Sequence, residues 1–145
     1  MATFNSTEYA AIATLGVMGM SRDHNAKVKR FPFNVTILAT FGAAPVLRLT
    51  KIPLGAKHPF VYYETNGLSA SAGVGLTVSI GDSDAVARLM VALDSSAAVQ
   101  KLGVAAAGAG YEYTAETTII ATVNTGKTPV TDQKIWGFIE VCIGD

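Results

Sequence analysis

The chain has 145 residues and a mass of 15.1 kDa, half of it hydrophobic, 15% charged, with zero formal net charge. A chain of this length and composition removes about 68–70% of its unfolded surface from water, so intrinsic disorder is excluded. The zero net charge and sequence pI near 6.7 argue against a general nucleic-acid binder, and 145 residues is the size of one domain.

Residues 1–31 read as an N-terminal arm, set apart from a β domain over residues 32–145. Asn5 or Ser6 is a cap for a short helix, with Glu8 in its first turn. Tyr9, Ile12, Ala13 and Gly16 then share one face. Gly16 and Gly19 interrupt that face, so the arm is a short helix or extended, and gains order by lying on a partner. No Lys or Arg precedes the apolar run 9–20, and it is too short for a membrane span, so cytoplasmic folding is expected. The single cysteine, Cys142, sits among Ile139, Val141 and Ile143 and reads as a small hydrophobe.

From Phe31 onward the pattern is β. Strands are expected over 33–40, 46–52, 60–65, 74–80, 117–123 and 134–143, with turns at Asn66-Gly67 and at Gly81 to Asp84. Val74, Leu76, Val78 and Ile80 fall on one face, as do Ile135, Ile139, Val141 and Ile143. Residues 85–107 are ambiguous: Val86, Leu89, Met90 and Leu93 have helical spacing, and the alternative is a crossover with a short strand. Irregular structure with short helical pieces is the expectation there. About seven strands in antiparallel order predict an all-β sandwich or jelly-roll-like single domain.

Motifs for chemistry are scarce. His24 and His58 lack the neighbours of a zinc site, and Asp82-Ser83-Asp84 lacks the rest of a calcium loop and reads as a turn. Gly67-Leu68-Ser69-Ala70-Ser71 lacks the last glycine of a nucleophile elbow, and the glycines around 73–75 and 103–110 lack the context of nucleotide loops. No catalytic, cofactor or metal site is therefore expected. Phe60, Tyr62, Tyr63, Tyr111 and Tyr113 invite a binding face, although adjacent Tyr62 and Tyr63 point to opposite sides, so at least one is core.

The zero net charge conceals a split. Residues 1–60 are predominantly basic and residues 61–145 predominantly acidic. Such a split is neutralised within one fold or between copies, or it steers the basic half toward an acidic partner.

The run Val74 to Ala85 followed by Arg88-Leu89-Met90, the run Gly110 to Gly126 and the closing strand Ile135 to Ile143 resemble small β-rich structural proteins of tailed bacteriophages. The resemblance covers roughly residues 34–145. It implies a β-sandwich that decorates or cements the outer surface of a capsid in the virion, made in the host cytoplasm. Its implied partners are the major capsid protein and further copies of itself, a trimer before a dimer, with no direct nucleic acid, no membrane and no cofactor. The arm then supplies docking contacts: Tyr9, Ile12, Leu15, Val17 and Met18 through apolar surface, and Arg22, Lys27, Lys29 and Arg30 through charge. A tail or fibre component binding a host glycan through its tyrosine-bearing strands is the first alternative. A small enzymatic or ligand-binding β-domain is the second.

Overall fold

The computed structural model describes residues 3–5, 28–38, 45–69, 75–123 and 129–143. Among them are nine strands and no helix: β1 (Thr3–Asn5), β2 (Val28–Thr36), β3 (Val46–Ile52), β4 (Ala56–Thr65), β5 (Thr77–Gly81), β6 (Met90–Asp94), β7 (Val99–Gly103), β8 (Thr117–Val123) and β9 (Lys134–Ile143). They form two sheets, ordered β1-β3-β8-β5-β6 and β2-β9-β4-β7. Every pairing is antiparallel except that of the three-residue β1, which runs parallel to β3. The protein is thus an all-β sandwich, as its alternation predicts.

The core follows from period-two patterning. Leu76, Val78 and Ile80 lie fully buried, as do Ile119, Ala121 and Val123 of β8, and Ile135, Ile139 and Val141 of β9 face them. Each such side chain contributes about 1.5–3 kcal/mol by leaving water. In β3 a bulge between Arg48 and Thr50 shifts the register, so that Leu47, Leu49 and Ile52 all point inward although strict alternation does not hold. The Asn66-Gly67 turn forms as expected: Gly67 has φ of 104°, its N–H bonds Thr65 Oγ1, and Asn66 Oδ1 accepts from the Lys134 N–H.

Two expectations need correction. Residues 85–107 contain no helix; they hold turns and the strands β6 and β7. The spacing of Val86, Leu89, Met90 and Leu93 arises because the chain enters β6 by a turn. Leu89 and Met90 enter the core while Val86 stays exposed, and a bulge then re-aims Val91 and Ala92. The crossover alternative is the one realised. The strand expected at 33–40 instead begins at Val28, because the ten-residue β9 offers partners for all nine residues of β2. Lys29, Arg30 and Phe31, expected at the end of the arm, are therefore in the sheet; residues 39–40 lie outside the described residues.

Tyr63 and Tyr113 place phenols in the core. Burial pushes the Tyr63 hydroxyl up to about 12 against the opposing hydrogen bond to Ser95, and burial raises Tyr113 well above its ordinary value too. A folded-state value above the unfolded one, about 10, means that the stability from keeping these phenols neutral is complete below pH ~10. It is lost as pH rises through the folded values. Both tyrosines are expected to ionise together with loss of the β signal, followed by tyrosinate absorbance and circular dichroism in parallel. Ionisation of all tyrosines near pH ~10 with the fold intact would contradict this.

Candidate interaction surface

The two sheets present different outer faces. On β3, β5 and β8 the outward positions are Val46, Arg48, Lys51, Thr77, Ser79, Thr118, Ile120 and Thr122, half of them hydroxyl-bearing. On the other sheet the outward positions of β4 (Phe60, Tyr62, Glu64) and of β9 (Trp136, Phe138, Glu140) lie in register. One cross-strand row reads Pro32, Phe138, Tyr62, Leu102 from β2 to β7, and the next reads Asn34, Trp136, Glu64, Gln100.

These side chains brace one another. The Tyr62 and Phe138 rings stack with centroids 5.2 Å apart, and on the β2 side the Arg30 guanidinium lies 4.8 Å from the Phe138 centroid. Arg30 Nε donates to Glu140 Oε2 at 2.7 Å. The Tyr62 hydroxyl donates to Glu64 Oε2 at 2.7 Å and accepts from Gln100 Nε2 at 2.9 Å. Hydrogen bonds from Tyr62 first, then from Gln100 and Trp136, hold the Glu64 carboxyl below its usual range and more than offset its partial desolvation. Glu64 in turn raises the Tyr62 hydroxyl. The result is an aromatic stripe whose rotamers are fixed before any partner arrives.

The stripe ends at a cleft of about 450 Å³ between edge strands β6 and β7. Val61, Leu89, Met90 and Val104 form its apolar floor, and exposed Val91 and Leu102 stand beside it. The edges here are blunted against strand addition. Lys101 shares the inward register of Val99 and Gly103 yet is exposed at the cleft mouth. In β6, Ala92 sits in a bulge with φ of 32°, its N–H bonded to Ser79 Oγ. Edge strand β2 carries Pro32 and an inward-register Lys29.

Of the nine residues expected to dock, Tyr9, Ile12, Leu15, Val17, Met18, Arg22 and Lys27 lie outside the described residues. Lys29 and Arg30 belong to β2, with Arg30 committed to Glu140 and Phe138. The five aromatics read as one binding face are separated. Phe60 and Tyr62 face outward, Tyr63 is core, and Tyr111 and Tyr113 pack edge-to-face at 4.9 Å in another part of the molecule. There Arg88 covers the Tyr111 ring at 3.7 Å and donates to buried Asp82 at 2.6 Å. The residues that complete the stripe, Trp136, Phe138 and Leu102, were not singled out by sequence reasoning. Only the β4–β9–β7 register reveals them.

The Asp82 carboxylate accepts from the N–H groups of Asp84 and Ala85, so this segment is the turn it was read to be. His58 is exposed at a bulge of β4, with φ of 51° and its own N–H bonded to the Tyr111 carbonyl. Among the described residues no three His, Cys, Asp or Glu side chains converge to hold a metal.

No protein-family model and no curated protein matches the sequence. By fold, the chain is similar to a chain in the capsid of Ralstonia phage GP4, at 18% identity and a TM-score of 0.72 over 99% of both chains. A chain of the cyanophage Pam1 capsid asymmetric unit is similar over 88% of this chain and 93% of its own, at 16% identity and a TM-score of 0.68. A chain from the acidic stable capsid of Helicobacter pylori bacteriophage KHP30 is similar over 82% and 90%, at 16% identity and a TM-score of 0.54. The sandwich is thus a fold that chains in phage capsids adopt, end to end in the case of Ralstonia phage GP4.

Proposed function

We propose that this chain is a structural protein of a bacteriophage virion, a capsid decoration (cement) protein that binds the major capsid protein lattice on its outer surface. The observation that carries the reading is the likeness of fold, over 99% of both chains, to a chain in a phage capsid. The preformed aromatic stripe suits a protein that acts by contact and not by catalysis. Packaged DNA pushes capsomers apart, and a bridging protein adds interface that must break before the shell opens. A standard interface of about 1,600 Å² in total, repeated over the lattice, turns modest affinity into a stable coat. Copies of the chain associate with one another, as a trimer before a dimer, over junctions between capsid subunits, and the arm adds apolar and basic contacts.

The test is co-sedimentation of purified protein with expanded and unexpanded capsids of the phage that encodes it, the full chain against a deletion of residues 1–27. Stopping the deletion at Lys27 leaves β2 whole but removes β1, so thermal unfolding of the shortened chain is matched to that of the full chain before binding is compared. Saturable binding to expanded shells only, weakened by the deletion, is expected. Absence of binding to either shell would sink the reading.

A further inference from the structure

We infer that the outer face of the β2-β9-β4-β7 sheet is the surface on which this protein seats, and that its occupant is a protein surface of the shell with carboxylates around an apolar centre. The inference rests on the capsid reading and adds to it the face and the chemistry of the partner.

Three observations converge on this face. The first is aromatic asymmetry: the outward rings of β4 and β9 collect on this sheet, centred on Tyr62, Trp136 and Phe138, while the outward positions of β3, β5 and β8 hold four hydroxyls, Arg48, Lys51, Val46 and Ile120 and no ring. An apolar patch held on one side of a sandwich marks an interaction site. At its end stands Leu102, 62% exposed.

Charge is the second observation, and it chooses the partner. The strands of this sheet carry Lys29, Arg30, Lys57, Lys101 and Lys134 against Glu64 and Glu140, and Glu112 beside β4 pairs with Lys57 at 3.3 Å, which leaves an excess of two positive charges. Both strand carboxylates are engaged internally, Glu140 by Arg30 and Glu64 by the Tyr62 hydroxyl. Asp84, Asp94, Glu116 and Asp132 lie on the rest of the molecule. An acidic surface approaching this sheet is therefore attracted, and a basic one is repelled.

The third observation is readiness. The Arg30–Phe138–Tyr62–Glu64 chain of contacts fixes side chains that otherwise lose about 0.5–1.5 kcal/mol each in rotamer freedom on docking. Pro32, Lys29 and Lys101 blunt both edges of the same sheet, so the partner meets its face and does not extend it by a strand.

The experiment measures binding of the full chain to expanded shells at several salt concentrations. It compares wild type with Leu102→Asp, with the pair Lys101→Glu/Lys134→Glu, and with Thr118→Asp on the opposite face. All four substituted positions are outside the core, and thermal unfolding of each variant confirms that the sandwich is retained. Leu102→Asp is expected to weaken binding about tenfold or more, in the range of an interface anchor. The charge-reversal pair is expected to weaken it at low salt and to reduce its salt dependence, while Thr118→Asp stays within about twofold of wild type. If wild type binds and the Leu102 and lysine variants bind equally well, this inference is overturned and the capsid reading stands. If Leu102→Asp dissociates an oligomer while shell binding is unchanged, the occupant is a second copy, and the inference is again overturned. If wild type binds no shell, the capsid reading itself falls and takes this inference with it.

Discussion

Gly137→Ala is expected to destabilise the sandwich by about 3–5 kcal/mol, enough that little folded protein is recovered. Gly137 lies in β9, between β2 and β4, and adopts φ of 153°, a backbone conformation that L side chains rarely take. A Cβ there runs into the carbonyl oxygen of Tyr62, and it lies 2.9 Å from the Tyr62 carbonyl carbon and 3.0 Å from Phe33 Cζ. The Tyr62 carbonyl is backbone in the paired strand, so it retreats only by loosening the β4–β9 ladder. The inward row Phe33–Gly137–Tyr63 shows what the glycine permits: two buried rings close over a position that has no side chain of its own. Gly55→Ala is the control. Gly55 also has positive φ, 80°, but its Cβ meets nothing within 4 Å, so only backbone strain of about 1 kcal/mol is expected. Urea midpoints of the two variants measure the difference. Equal and small losses would mean that β4 and β9 yield at no cost and that the contact at Gly137 does not set the register.

The fold was legible because burial on one side of a strand writes a period of two. Leu76, Val78 and Ile80 state their face directly, as do Ile135, Ile139 and Val141. Sequence reading fails where a turn or bulge interrupts that period, as at Val86 to Leu93, because three- and four-residue spacing then imitates a helix. The interaction stripe was less legible for another reason. Tyr62, Leu102 and Phe138 become neighbours through pairings of β4 with β7 and β9, and no local pattern encodes which distant strands pair. Even positions 136, 138 and 140 in β9 and 60, 62 and 64 in β4 each alternate with core residues. That parity marks both sets as outward, but their adjacency needs the register. Arg30 shows the same limit: the sequence reads it as a docking charge of the arm, whereas pairing of β2 with β9 places it over Phe138.

Asp82→Ala is expected to cost about 3–5 kcal/mol, and its partner substitution explains why the number is so large. The carboxylate is 3% exposed and serves four donors: the N–H groups of Asp84 and Ala85, and Arg88 through Nε at 2.6 Å and Nη2 at 3.4 Å. Truncation leaves a guanidinium that is only 13% exposed without its counter-charge, and strips the turn of its acceptor. Arg88→Met removes the cation but leaves Asp82 with its two backbone donors, so a smaller loss is expected, about 2–3 kcal/mol including the contact with Tyr111. The double variant removes both charges together, and its loss is expected to fall short of the summed single losses by at least about 2 kcal/mol. Denaturant unfolding of the four proteins closes this cycle. Additive losses would show that the turn, and not the ion pair, holds the segment. The pair also bears on docking: the chain that follows Arg88 supplies Leu89, Met90 and Val91 to the cleft, and Ala105 N–H binds the Leu89 carbonyl beneath it. The Asp82→Ala/Arg88→Met double variant, assayed where thermal unfolding shows it folded, is therefore expected to keep its shell affinity, because Leu102 and the aromatic stripe stand on the other sheet. Loss of affinity in that folded double variant would place the β5–β6 end of the molecule, and not the stripe alone, in the contact.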